Sequence, residues 1–394
     1  MANIDGTRLT PAALPQIDAG FRFDALTSLR GLAALCTLMV HLVTIWLVVF
    51  PVLEKWEYFY RFSNHSYLFV DFFFILSGFV ISHVYARAFS GGVTLSGYRK
   101  FMRARFARIY PLHLLLLAIY VGLASLGFKQ STENPEWSIL AHIFLVHALG
   151  VFDHTTWNIP SWSISVEWWT YVLFPMAAAF AFRYMRRNRA IPALGVSIGL
   201  FILLAAYNGS MSITTGLAFV RCLIGFTAGS CLYAIFTTRR FTGSSGKVSV
   251  AILVAIFLAL ACLPSPISDI LAFVGFCSLV YVSSNEQEQR NWMHHPVLIW
   301  LGDISYSIYL WHTLLLHVMA KVMLKIKGEH TWSDAEQFGY FLLALLAFEV
   351  LILLLAHLSY TFFELPARNF INGRKRYSSR MATDSSGAKV PTVP

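Results

Sequence analysis

The sequence predicts an all-α, polytopic membrane helix bundle with N- and C-termini cytoplasmic, and three observations lead there. First, 57% of the 394 residues are hydrophobic and only 13% are charged, about half the share of charge in an average soluble domain. Second, the apolar residues fall in long runs, many near the ~20 residues that cross a bilayer core. Third, the basic residues gather in the short segments between those runs rather than over an amphipathic surface. Orientation in a membrane produces that pattern. The net charge of +10 therefore reads as topology, and no nucleic-acid partner is expected.

The runs lie at 29–50, 66–86, 108–128, 162–182, 190–207, 213–236, 248–263, 267–284, 297–320 and 338–363, which predicts about ten transmembrane helices. A further run, 137–152, is shorter and is interrupted by His142 and His147. Loop charges decide its standing. Arg87, Arg99, Lys100, Arg103, Arg105 and Arg108 follow the second run. They are the strongest cytoplasmic signal, placing the N-terminus inside and residues 51–65 outside. If 137–152 crossed, Arg183, Arg186, Arg187 and Arg189 would lie outside. If it does not, they lie inside, together with Arg239, Arg240, Lys247 and the basic tail Arg368, Arg374, Lys375, Arg376 and Arg380. The segment is thus expected to be re-entrant or interfacial on the outer side. One loop runs against the rule, because 321–337 carries Lys321, Lys325 and Lys327 and yet falls outside.

Residues 1–28 are expected to be a cytoplasmic segment without a cleavable signal peptide, 29–368 the membrane domain, and 369–394 a basic and then disordered tail. The five cysteines sit in apolar stretches without disulfide or metal-ligand spacing and read as small core residues.

Ionisable groups inside apolar spans are costly and usually mark function. The first span holds Arg30 and His41. Eleven residues make almost three helical turns, so both side chains project from one face, separated by ~16 Å of rise. Each alone reads as an anchor or a helix–helix bond. Together they suggest an anion anchor at the inner mouth with a base deeper in. In the fourth span Ser163 and Glu167, four apart, share a face beside Trp162. Asp71 sits at a comparable outer depth, and Tyr306 and His312 add polar groups whose structural and functional readings weigh equally. For His113, Glu349 and His357 the structural reading is preferred. Arg105 and Arg108, three apart, could hold a phosphate through paired guanidinium contacts. Nothing resembles a Gly-rich nucleotide loop, a zinc site or a Gly-X-Ser-X-Gly elbow, so no metal and no tightly bound cofactor is expected.

Six segments in order resemble the acyltransferase-3 family of membrane O-acyltransferases. They are Phe23-Asp24-Ala25-Leu26 with Arg30 and His41 (an Arg-X10-His signature); 70–79, beginning Val70-Asp71-Phe72; Arg105-Phe106-Ala107-Arg108-Ile109-Tyr110-Pro111; 160–167, ending Ser163-Ile164-Ser165-Val166-Glu167; 301–312, ending Tyr309-Leu310-Trp311-His312; and Glu364-Leu365-Pro366-Ala367-Arg368. Any one of them is a weak match; six from residue 23 to 368 are a specific one. The resemblance implies a ten-span core that transfers an acyl group, by default acetyl, from cytoplasmic acyl-CoA as co-substrate. The acceptor is a hydroxyl of a glycan, lipid-linked sugar or similar molecule, and the setting a bacterial inner membrane.

On that basis the expected donor (acyl-CoA) site is Arg30, Arg105 and Arg108. His41 is the expected general base, with Glu167 and Arg30 completing the catalytic set, and an acyl-histidine intermediate stays open. Asp71, Trp162, Ser163, Tyr306 and His312 are expected on the acceptor side or in support. The competing reading is a transporter or exporter, which paired half-sequences or matched broken helices would favour; the sequence shows neither.

Overall fold

A computed structural model describes residues 22–128, 134–184, 187–285 and 291–373. The N-terminal segment to residue 21, the tail from 374, and the side chains of Arg87, Arg183, Arg186 and Arg187 lie outside the described residues. Among those described there is no strand. The principal helices are α1 Asp24–Trp46, α2 Glu57–His65, α3 Phe69–Ser90, α4 Leu95–Ser125, α5 Ser138–Ile143, α6 Ser161–Tyr184 and α7 Arg187–Asn208. They continue as α8 Ala218–Phe236, α9 Ser245–Cys262, α10 Ile267–Ser283, α11 Pro296–Asp303, α12 Ser305–Lys327, α13 Asp334–Ser359 and α14 Leu365–Ile371. Each of the ten apolar runs is helical. Among the described residues, eight helical stretches are long and apolar enough to cross a membrane, and α10 is a shorter apolar helix.

Several boundaries move, each for a local reason. α1 starts at Asp24 rather than 29, because its polar first turns are satisfied within the protein. The Thr27 hydroxyl donates to the Phe23 carbonyl (2.9 Å), and the Ser28 hydroxyl donates to the Met293 carbonyl (2.5 Å). α4 starts at Leu95 rather than 108, N-capped by the Thr94 hydroxyl, which accepts from the Gly97 amide at 3.2 Å. Its 31 residues make a rod of about 46 Å, and Arg105 and Arg108 stand three apart within it.

The expected ninth span is two helices broken at Ile304. The Gly302 carbonyl there receives the Ser305 hydroxyl (2.8 Å) and the Arg30 guanidinium instead of serving a continuous helix. Beyond the break α12 runs on to Lys327, which corrects the placing of Lys321, Lys325 and Lys327 in a loop. Their long stems reach polar and aromatic ends: Lys327 donates to the Val49 carbonyl (3.2 Å) and lies over the Trp332 ring, and Lys321 lies over Phe128. Residues 137–152 make no crossing helix. α5 has six residues, Leu145 and Gly150 take positive φ, and one π turn ends the segment. All five cysteines are free, but only Cys222, Cys231 and Cys277 are buried; Cys36 is half-buried and Cys262 is exposed.

Small residues and one ion pair hold the centre. α3 and α8 touch backbone to backbone at Gly78 and Gly229, where a Cβ would overlap the Phe226 and Ile75 carbonyls. Beside that contact Arg221 of α8 donates two hydrogen bonds to the Asp71 carboxylate of α3, at 2.9 and 2.6 Å, with both side chains fully buried. Two further donors reach the Ile213 and Tyr67 carbonyls, and the Trp162 ring covers the guanidinium at 5.2 Å. Four of the five guanidinium N–H groups thus have acceptors. Removing one partner of such a pair typically costs about 3–5 kcal/mol, because it strands a buried charge.

Arg221→Met should therefore lower the thermal midpoint of the detergent-solubilised protein sharply, and Asp71→Leu added to it should recover most of the loss. An Arg221→Met midpoint equal to that of the unaltered chain would refute the pairing as a structural element.

Candidate functional site

The cavity in the bundle is assembled from five helices. Arg30 comes from α1, the middle of α3 supplies Ser77, and one turn of α4 supplies Arg105 and Arg108. The first half of α6 brings Ser163, Glu167 and Tyr171, and the start of α12 brings Tyr306 and Tyr309. Its cavity volume is about 170 Å³, below the roughly 300–1,000 Å³ usual for small-molecule sites.

A backbone carbonyl places Arg30, and aromatic rings place Arg105 and Arg108. Arg30 donates through Nε (3.1 Å) and Nη2 (2.7 Å) to the Gly302 carbonyl. It thereby caps the end of α11, where orphan carbonyls need donors. The approach is possible because the two facing positions are glycine: a Cβ on Gly31 would meet the Gly302 amide at 2.7 Å, and one on Gly302 would overlap the Thr27 backbone. Arg105 lies among the rings of Tyr85, Phe101 and Tyr171, at 5.7–5.8 Å from each, and its buried Nε has no partner. Arg108 lies over the Tyr306 ring at 5.2 Å, and the Tyr306 hydroxyl donates to the Ile109 carbonyl at 2.7 Å.

Glu167 accepts from the Ser77 hydroxyl (2.5 Å) and from the Tyr171 hydroxyl. Ser163 instead exchanges a hydrogen bond with the Tyr309 hydroxyl (2.8 Å), which places the shared-face pair of the sequence in two separate contacts. Three guanidinium groups face one carboxylate on this wall, so the cavity carries an excess of positive charge in apolar surroundings. There the attraction for an anion is several times its value in water. Arg105 and Arg108 retain donors for a planar or phosphate-like oxygen cluster.

The structure thus gathers Arg30, Arg105, Arg108, Ser163, Glu167 and Tyr306 on one cavity. His41 and His312 meet elsewhere, at the next level along α1 and α12, with ring centres 5.1 Å apart. Tyr309 links the two places, since it lines the cavity and its ring lies 5.9 Å from His312. Asp71 and Trp162 belong to the Arg221 cluster rather than to either. His113 is structural as expected, its Nε2 lying 3.0 Å from the His142 carbonyl. Among the described residues no group of three or more His, Cys, Asp or Glu could hold a metal ion.

Sequence reasoning missed Arg221, although a lone arginine inside an apolar run is itself a demand for a buried acid. It also missed Tyr171, and Ser77 and Tyr309 stood only within the quoted motifs 70–79 and 301–312, with no role assigned. Glu364 was noted only within a motif; it accepts from Ser307 and stands in the field of Arg108.

A family model described as an acyltransferase domain matches residues 23–361. The chain is 27% identical over 389 residues to acyltransferase MdmB of Streptomyces mycarofaciens, covering 90% of this chain and 94% of that protein. Peptidoglycan O-acetyltransferase OatA of Listeria monocytogenes is 22% identical over 410 residues, covering 95% of this chain but 59% of that protein. Exopolysaccharide production protein ExoZ of Rhizobium meliloti is 26% identical over 271 residues, or 65% and 78% of the two chains. The chain therefore spans nearly all of the first relative and little more than half of the second. No solved structure matches it.

The glycine contact that seats Arg30 has a direct check in thermal unfolding. Gly302→Ala should destabilise the protein by about 1–3 kcal/mol, as overpacking against backbone does. Gly339→Ala on α13, where a Cβ meets open space, should be neutral or stabilising by up to about 1 kcal/mol. Equal midpoints for the two variants would mean that α1 and α11 do not pack through these glycines.

Proposed function

The chain belongs to the acyltransferase-3 family of integral membrane acyltransferases, and on that premise we propose that it transfers an acyl group, acetyl by default, from acyl-CoA to a hydroxyl of a saccharide or similar acceptor. One observation carries the donor assignment: Arg30, Arg105 and Arg108 converge on a cavity whose described lining has one carboxylate, Glu167. Coenzyme A ends in phosphates, and guanidinium groups are the side chains best matched to phosphate oxygens. Arg105 and Arg108 take the phosphates, and Arg30, tied to Gly302, narrows the inner mouth. Glu167 orders the wall by holding Tyr171, the ring that packs on Arg105.

The pantetheine arm runs outward past Tyr309 and brings the thioester towards His41. Neutral His41 takes the acceptor hydroxyl's proton as that oxygen attacks the thioester carbon. The new C–O ester bond forms, the C–S bond breaks, and the coenzyme A thiolate leaves with the proton returned from His41. With both termini cytoplasmic, in a bacterial inner membrane, the donor enters from inside and the acceptor from outside. The printed names of the relatives, one a peptidoglycan O-acetyltransferase and one an exopolysaccharide production protein, support a saccharide acceptor.

The test is acetyl-CoA turnover by the purified full-length protein in lipid, with isolated cell-envelope glycans supplied. His41→Ala, with insertion and melting verified, should lower turnover by about 100- to 10,000-fold, the usual contribution of a general base. Turnover by His41→Ala at the unaltered rate would sink the assignment.

A further inference from the structure

Residue 312 is the polar position on α12 that the transfer chemistry above leaves unused. Its imidazole is fully buried, and Nδ1 lies 2.7 Å from the Tyr309 carbonyl oxygen. A carbonyl oxygen only accepts, so Nδ1 carries the hydrogen and the lone pair of the neutral ring sits on Nε2. That Nε2 is buried and has no partner. An unpaired acceptor inside a protein is a standing cost to the fold, and it is kept here opposite one particular ring.

That ring is His41, tilted 44° to His312 with the centres 5.1 Å apart. Among the described residues His41 makes no hydrogen bond. A third histidine near the pair is His317, whose own Nδ1 is 2.7 Å from the Thr313 carbonyl and therefore also carries the hydrogen. Two neighbouring rings on α12 are thus locked in one tautomer by their own helix, while the facing ring on α1 is unconstrained. A neutral imidazole has one donor and one acceptor nitrogen, and whichever contact one nitrogen makes decides the other.

We propose that His312 is a positioning residue for His41: the hydrogen bond between them is not made in this structure, and a turn of the His41 ring brings its N–H to the unpaired Nε2 of His312, which directs the other, lone-pair-bearing nitrogen of His41 towards the acceptor hydroxyl. This rests on the reading of His41 as the base. During transfer the hydroxyl proton goes to that free nitrogen of His41 and then to the leaving thiolate. His312 keeps its own proton on Nδ1 throughout and gains none. The His41 imidazolium formed in between is steadied by the His312 lone pair, so the contribution falls on the chemical step rather than on donor binding.

Two substitutions separate positioning from packing. In His312→Asn the amide nitrogen replaces Nδ1 as donor to the Tyr309 carbonyl, and nothing replaces Nε2. In His312→Gln the amide oxygen restores an acceptor near the Nε2 place. With acetyl-CoA and isolated cell-envelope glycans, His312→Asn should lower kcat by about 10- to 100-fold, the range for losing the hydrogen-bond partner that orients a metal-bound histidine, carried over to a histidine base. Its KM for acetyl-CoA should stay within about two-fold, and His312→Gln should recover most of kcat. An unchanged kcat in His312→Asn beside an inactive His41→Ala would overturn this inference and leave the base assignment standing. Equal loss in the Asn and Gln variants would also overturn it, because an acceptor would then have been restored to no effect. Full turnover in His41→Ala would remove the base itself, and the inference with it.

Discussion

The carbonyl of Gly302 holds the arrangement together. It accepts two N–H groups from Arg30 and so ties α1 to the break between α11 and α12. From that tie, eleven residues along α1 lead to His41, about 16 Å of helical rise, and ten residues, three across the break and seven along α12, lead to His312. Helices that leave one point in the same direction at the same pitch bring those two rings to one level. Further along, the Trp46 indole N–H donates to the Leu316 carbonyl at 3.3 Å, which keeps the pair of helices together above the histidines. The Arg-X10-His spacing is thus one half of a geometric device whose other half is the distance from Gly302 to His312.

Charge is treated in two ways within the same bundle, and the contrast separates structure from function. Arg221 is closed: its donors go to Asp71, Ile213 and Tyr67, and Trp162 covers its face. It is not among the residues that line the cavity. Arg105 is open, held by three aromatic faces that position the cation without consuming its N–H groups, and its buried Nε is unpaired. Arg108 is held in the same manner over Tyr306. A guanidinium confined by rings and left short of oxygen is arranged for oxygen that arrives from outside, which is what a phosphate-bearing donor supplies.

Much of this was legible in the sequence because hydrophobic length and helical arithmetic are local properties. The ten runs, the shared face of Arg30 and His41, and the spacing of Arg105 and Arg108 need only neighbouring residues. What was not legible depends on partners far apart in the chain. Asp71 looked like an acceptor-side acid until Arg221, 150 positions away, was found to take both its oxygens. Glu167 looked like an outer-side partner of His41, but α3 and α4 bring Ser77 and Arg105 to it instead. The break at Ile304 has only Gly302 before it as a signal, and the Arg30 side chain that meets it there comes from α1. Helix starts at 24 and 95 were hidden because polar first turns end an apolar run without ending a helix.

The central claim is that the arginine cavity binds the anionic end of the donor, and equilibrium binding of coenzyme A itself tests it without requiring an acceptor. Calorimetry on the full-length protein in lipid nanodiscs should show binding that weakens as salt rises. The Arg105→Met/Arg108→Met double variant should lose it by at least about ten-fold, or 1.4 kcal/mol, while its thermal midpoint holds. Coenzyme A binding of equal strength in the unaltered chain and a folded double variant would contradict the account.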